Sequence, residues 1–536
     1  MKTMRSFILS ALLATAAPAV GQAPPLTPDQ AAIRAHVAWL ASDELRGREA
    51  GTPDYDRAAD YVAKQMAAAG LQPGAKGGWL QPVPLVAARP AAEPVMSLSL
   101  NGATTPLAFG QDFTLRPTPG DASIDISAPV VFAGHGVVDP ANGRDDYKGL
   151  DVSGKIVAIF YSGPQGLNSE VAAHLGNRVD RARLAASKGA RGVLFIESDQ
   201  SRAIIPVSTL HRNWDARAVA WVGPDGRPRD AGAPMLAVVS QEGAAKLFGG
   251  SRLNWEDVRA ADSAGRPVPT GPLAATLSTR QRFTTERLQS ANVVGLLPGA
   301  DPKLRNEYVV LSGHLDHIGV TRPVDGDAIN NGAMDNAVGI ASMLEVAKRF
   351  QGGARPKRSI LFVAVTAEEK GLIGSDYYAT YPTVPKGALV ANVNLDMPIL
   401  TYRFQDLVAF GADRSSIGPA AARAVKGLGF ALIPDPAPEQ ASFVRTDHYS
   451  FVRQGVPSVS LTPGPGGPGE AAIERFLKEN YHKPSDEIDL PFDWTAAASF
   501  VRVNHAVASA LANEPERPRW VRGDYFGTLY KGPMAR

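Results

Sequence analysis

The chain contains no cysteine. That absence excludes disulfides, cysteine nucleophiles, thiolate metal sites and lipid anchors attached through cysteine. An excess of one charge is missing too, since 55 Lys and Arg stand against 53 Asp and Glu for a formal net charge of +2. Nothing in that balance points to nucleic acid or to an anionic membrane surface as a partner. Histidine is scarce, nine in 536 residues, so any metal must be held by a few imidazoles together with carboxylates. Internal repeats are not visible, which argues against a solenoid. The apolar run from Phe7 to Ala17 is far shorter than the roughly 20 residues that span a bilayer. Lys2 and Arg5 precede it and Ala19-Val20-Gly21 follows it, the pattern of a cleaved export signal. The expectation is a signal peptide over 1–21, an exported protein, periplasmic or secreted, and no membrane span in the mature chain.

What is present is a chain too long for one ordinary core, with an apolar content of 44% that fits a globular protein. Ile33, Val37 and Leu40, then Tyr61, Val62 and Met66, recur at helical spacing around the break Arg46-Gly47-Arg48. Between Ala128 and about Leu247 short apolar strands, Val130–Ala133, Ile156–Tyr161 and Gly192–Ile196, alternate with a helix over Arg181–Lys188. This reads as a small α/β unit whose polar residues, His135, Asp145 and Asp146 included, belong to turns and surface. From Leu288 to Leu511, apolar strands at Tyr308–Leu311, Ile360–Val365, Leu389–Val393 and Val456–Leu461 alternate with helices over Asn336–Phe350 and Thr495–Leu511. Such alternation predicts an α/β fold, a three-layer α/β/α domain with a mostly parallel, mixed sheet. Ligands of such sheets gather at the carboxyl ends of the strands. Gly464, Gly466 and Gly469 formally spell GxGxxG, but with Pro463, Pro465 and Pro468 interleaved and no helix expected close behind, the segment reads as a loop.

Six positions stand out: His314, Asp335, Glu368, Glu369, Asp396 and His482. They combine imidazole and carboxylate donors as a pair of divalent metals requires, with one acid to spare for moving protons. His314 ends a predicted strand, and Asp316, pointing the same way in extended backbone, is placed for its carboxylate to accept the second ring N–H of His314. His317 is expected to point away and to be structural. Asp335 precedes the predicted helix, where a simple N-cap and a rigidly mounted bridging carboxylate are compatible readings. Glu368 and Glu369 diverge on non-helical backbone, so one can bind metal while the other stays free. Asp396 follows an apolar strand, and His482 sits in the polar string YHKPSDE.

The strings GHLDHIG, NNGAMDNAVGIA, TAEEKGLIGS, NLDM, RTDHYSF with GVPSVSL, and YHKPSDE resemble, in order, those of the two-zinc metallopeptidase family of aminopeptidase Y and the bacterial leucyl aminopeptidases, related to glutamate carboxypeptidase II and transferrin receptor. The segment from about Pro129 to Leu247 resembles the protease-associated (PA) domain that many members carry as an insertion. The resemblance implies two Zn2+ per chain, His314 and Asp396 on one, Glu369 and His482 on the other, and Asp335 bridging. It makes Glu368 the general base, Asp316 the outer partner of His314, and the Asp335-Asn336 peptide cis. It also implies peptides as substrates and N-terminal residues as the point of cleavage. The same scaffold serves carboxypeptidases and dipeptidases, and a non-catalytic receptor-like scaffold is the reading of another class. Met334, Val338, Thr446 and above all Val444, where relatives often carry tyrosine, depart from the family pattern. The expected organisation is 27–125 and 285–515 for the peptidase domain, 126–255 for the inserted PA domain and 516–536 for a C-terminal tail. Oligomeric state is not legible.

Overall fold

The computed structural model describes residues 25–229 and 232–536. The expected signal peptide, 1–21, lies outside the described residues. Two helices, Pro28–Leu40 and Pro53–Ala68, open the fold, each entered through a threonine hydroxyl that caps a backbone amide and each with proline in its first turn. Their apolar stripes, Ile33, Val37 and Leu40 on one and Tyr55, Val62 and Met66 on the other, are fully buried.

The main sheet centres on four parallel strands in the order Ser359–Val365, Tyr308–His314, Leu389–Asn394 and Ser458–Pro463. Antiparallel neighbours extend it, Asp406–Phe410 beyond Ser458–Pro463 and the strand Gly271–Leu297 beyond Ser359–Val365. Alternation along the central strands divides the core between two faces. Val309, Leu311, Ile360 and Phe362 pack with the helices Pro28–Leu40, Val338–Gln351 and Trp494–Asn513, whereas Val310, Leu361 and Val363 face Tyr378 and Phe451. The result is the expected α/β/α layering. No helix among the described residues is long and apolar enough to cross a membrane.

Gly271–Leu297 is 27 residues long and serves two sheets. Its later part pairs with Ser359–Val365 and Leu80–Pro90, its earlier part with Val95–Leu100 and Ser123–Phe132. The second sheet continues in parallel through Ile156–Phe160, Gly192–Ile196 and Met235–Val239, and has its own core around Phe132, Phe160, Leu194 and Trp255. Here His135 departs from the expectation of a turn or surface residue. It is buried, with its ring 3.0 Å from Asp262 and its backbone amide donating to Asp146, because the loop after Ser123–Phe132 folds against the helix Trp255–Ser263.

The GxGxxG segment also departs from expectation, since the helix Gly469–Glu479 follows it directly. It is nonetheless no phosphate cradle, because Asp406 already occupies it. The Asp406 carboxylate accepts from the Gly466 amide at 3.1 Å, and a Cβ on Gly464 or Gly466 would meet it at 2.3 or 2.4 Å.

The last residues dock rather than trail. Trp520 and Phe526 are fully buried with Phe443 and Tyr449, and Trp520 Nε1 donates to the Gly455 carbonyl at 2.8 Å. His174, from the helix Ser169–Leu175 of the second unit, bonds Tyr449 Oη at 2.7 Å in the same cluster. Burial lowers the His174 pKa from 6.5 to about 4. A depressed histidine contributes stability that is present above pH 6.5 and lost as pH falls through 4. At 1.36 kcal/mol per unit this amounts to roughly 3 kcal/mol. Denaturant melts at pH 7 and pH 4 should show that loss in the wild type and a clearly smaller one in His174→Gln.

Candidate metal centre

The carboxyl ends of the central strands converge on one nest. His314 closes Tyr308–His314, Glu368 and Glu369 lie just past Ser359–Val365, and Asp396 just past Leu389–Asn394. Asp335 stands in the turn Ala333–Ala337, and His482 in the turn after Gly469–Glu479. Backbone in the left-handed region recurs here at non-glycine residues, with φ of 54° at Ala367, 42° at Met397 and 56° at His482. Such conformations are uncommon and gather where surrounding structure over-determines them. The Asp335-Asn336 peptide is cis, as the resemblance implies.

Asp335 organises the nest through its two oxygens. Oδ1 lies 3.1 Å from His314 Nε2, which is itself 3.0 Å from Asp396 Oδ1. Oδ2 lies 3.3 Å from His482 Nε2, which is 3.3 Å from Glu369 Oε2. The donors thus form two imidazole–carboxylate pairs with Asp335 shared between them. Two ligands of one tetrahedral zinc, at bond lengths of about 2.0–2.1 Å, stand about 3.3 Å apart, so these separations fit chelation. His314, Asp335 and Glu369 each also offer one ligating atom, all within 4.8 Å of one another. The side chains of His314, Asp335, Glu369 and Asp396 are buried, and of the five only His482, its side chain 40% exposed, opens toward solvent.

The protein's own charges set the protonation of the nest. Burial disfavours charge on His314, but Asp396 and Asp335 outweigh it and hold its pKa well above 6.5. Burial likewise opposes ionisation of Asp335, yet the hydrogen bonds from His314 and His482 bring it well below the usual carboxylate range. Glu368 goes the other way. Its burial, with Asp396 and Glu369 adding to it against His314, raises it well above 4.5.

The supports explain why these loops hold still. Asp316 differs from expectation in detail: its backbone carbonyl, not its carboxylate, lies 3.1 Å from His314 Nδ1. The carboxylate instead accepts from the amides of Glu368 at 3.0 Å and Glu369 at 3.4 Å, fixing both glutamates. His317, expected to point away, is buried with Nδ1 2.7 Å from Glu369 Oε1. The strand ends at His314, so strict alternation stops there and the chain turns His317 back into the nest. Asp486, in the YHKPSDE string, accepts from the amides of Met334 at 2.8 Å and Asp335 at 3.0 Å. Asp447 is a further buried carboxyl near the site, raised by burial to about 7.

Arg48 is the support that sequence reasoning passed over. It is buried, and its guanidinium donates to the carbonyls of Leu315 at 2.9 Å, Asn331 at 2.5 Å, Gly332 at 3.2 Å and Leu40. It ties the N-terminal segment to the loops carrying Asp316 and Asp335. The only signal was a basic residue in a helix break. Arg48→Met, which leaves those carbonyls buried without a donor, should cost roughly 3–5 kcal/mol in a denaturant melt.

Fold and donors together define a class, an α/β protein whose strand ends carry a divalent-metal nest beside a free carboxylate, the equipment of a metal-dependent hydrolase. Residues 292–508 match the family described as peptidase family M28. Among curated relatives, leupeptin-inactivating enzyme 1 of Streptomyces exfoliatus is 28% identical over 258 residues, 45% of this chain and 53% of that protein. A probable leucine aminopeptidase 2 of Aspergillus fumigatus is 27% identical over 219 residues, 38% of this chain and 40% of that protein. The chain thus spans about half the length of the curated relatives it matches or less. The solved aminopeptidase from Aneurinibacillus sp. strain AM-1 shares the fold, with a TM-score of 0.52 and 20% identity over 91% of this chain and 95% of that one.

Proposed function

We propose that the protein is an exported aminopeptidase that binds two zinc ions and hydrolyses N-terminal residues from peptides. The reading rests on Asp335, whose two oxygens face separate imidazole–carboxylate pairs, 3.1 Å from His314 and 3.3 Å from His482. His314 and Asp396 would hold one ion, His482 and Glu369 the other, and Asp335 both. Zinc so held supplies Lewis acidity, polarising the scissile carbonyl and acidifying an attacking water. Glu368 is the spare acid and the general base. Its buried carboxylate, with a raised pKa, takes the proton of the attacking water and returns it to the leaving amine. Asp316 keeps that carboxylate in place through the Glu368 amide. His317 orients Glu369, and Val444 lines the cavity where substrate is read.

The match of residues 292–508 to peptidase family M28 and the name of the Aspergillus relative support an exopeptidase that requires a free amino terminus. We assign the second unit, 126–255, as a protease-associated domain inserted between 27–125 and 285–515, and take the leader 1–21 as the export signal. A panel of aminoacyl-p-nitroanilides and their N-acetylated counterparts, with and without chelator, tests the reading. Hydrolysis of the free-amine set alone, abolished by chelator, is the expected result. Equal hydrolysis of the blocked set, or activity that survives chelation, would overturn it.

A further inference from the structure

A cavity of about 930 Å³ is lined both by Glu369 and His482 of the metal centre and by Arg116, Asn177 and Arg178. Its walls carry many cations, and most are paired. Arg453 and Arg183 bind Asp180 at 2.9 and 3.2 Å, and Arg229 binds Asp376 at 2.9 Å. Arg217 and Lys370 share Glu49 at 2.8 and 3.0 Å. Arg116 and Arg178 are different. Among the described residues no carboxylate lies within ion-pair distance of either, and both gather on one phenol, Tyr161, whose oxygen accepts from Arg178 Nη1 at 2.8 Å. The acids that line the cavity, Asp180, Asp376 and Glu369, already have cationic or imidazole partners. Its uncommitted charge is therefore positive.

Bringing two guanidinium groups onto one acceptor is unfavourable without an anion. Arg116 is exposed to the water of the cavity, yet the protein packed around it and then Arg178 hold its pKa below the ordinary value. Arg178 adds to the misfit as the first residue of the helix Arg178–Ser187, where the helix dipole already presents positive charge. A carboxylate between the two arginines would relieve both conflicts, and arginine's planar fork suits that geometry.

We propose that Arg116 and Arg178 form a carboxylate-binding subsite that receives an anionic group of the substrate downstream of the cleaved bond. The proposal rests on the peptidase reading above and narrows it to short peptides ending in a free carboxylate or carrying an acidic side chain. A cavity of this size suits a ligand of a few residues, since sites for small ligands span about 300–1,000 Å³.

Two peptide pairs test it with the zinc-loaded full chain. Leu-Ala-Ala against its C-terminal amide reports on the terminal carboxylate, and Leu-Glu-amide against Leu-Gln-amide reports on an acidic side chain. One pair at least should show a preference for the acid of roughly 10- to 100-fold in kcat/KM, the effect of one charge-assisted hydrogen bond, carried by KM. In Arg116→Gln/Arg178→Gln, checked for an unchanged melting temperature, that ratio should collapse toward one, and Arg116→Lys/Arg178→Lys should recover part of it. Calorimetric titration of the same pairs into the Glu368→Gln chain needs no turnover. Binding preference without hydrolysis in the wild type keeps the subsite and rejects the peptidase reading. Hydrolysis without preference in either pair, or a preference that survives the double glutamine variant, rejects the subsite.

Discussion

Replacing Glu368 by glutamine is expected to cut peptide turnover roughly 10²- to 10⁴-fold, the contribution of a positioned general base, while metal content and melting temperature stay near wild-type values. The substitution preserves shape and removes only the capacity to take a proton. The Glu368 amide keeps its bond to Asp316, because that bond is made by backbone. Neither is stability at stake. Burial raises the Glu368 pKa, so any stability linked to its protonation is fully present below 4.5 and lost as pH rises through the folded value. The ionised carboxylate is thus a liability to the fold, and a neutral amide is tolerated. Steady-state rates, elemental analysis and a thermal melt of one preparation decide the matter. Turnover above about a tenth of wild type would move the base to another group, and Asp447, buried near the same site, is the first to examine.

The residues of the nest were legible because strand–helix alternation is a strong signal and because such sheets collect chemistry at strand ends. His314, Glu368, Glu369 and Asp396 all follow apolar runs, and the runs became strands. Less legible were contacts decided by what happens after a strand stops. Alternation sends His317 away from His314 only while the backbone stays extended, and the chain leaves the strand at His314 itself. Asp316 was placed by the same rule beside the imidazole, whereas its carboxylate serves two amides of another loop. Arg48 joins segments about 270 to 280 positions apart, a separation no local pattern reports. The helix at Gly469 was masked by its prolines and glycines, whose purpose is close approach to Asp406, a tertiary fact.

Stripping the metal is expected to abolish hydrolysis completely and to lower the melting temperature, with both restored by added zinc, because the donors come from five separate segments. The strand end at His314, the turn at Asp335, the loops at Glu369 and Asp396 and the turn at His482 meet only in the folded state. An ion that binds the native state alone adds about 2.7 kcal/mol of stability at 100 times its dissociation constant. Elemental analysis should find two ions per chain in the wild type. The variants separate the two pairs. Asp396→Asn touches only the His314 pair, so it should cost one ion and retain the other. Asp335→Asn removes the carboxylate that both imidazoles face, at 3.1 and 3.3 Å, so it should reduce both and eliminate turnover. If the wild type holds a single ion at full activity, Asp335 is not shared between metals. Its second contact, to His482, would then be an ordinary hydrogen bond, and Asp335→Asn should weaken metal binding no more than Asp396→Asn does.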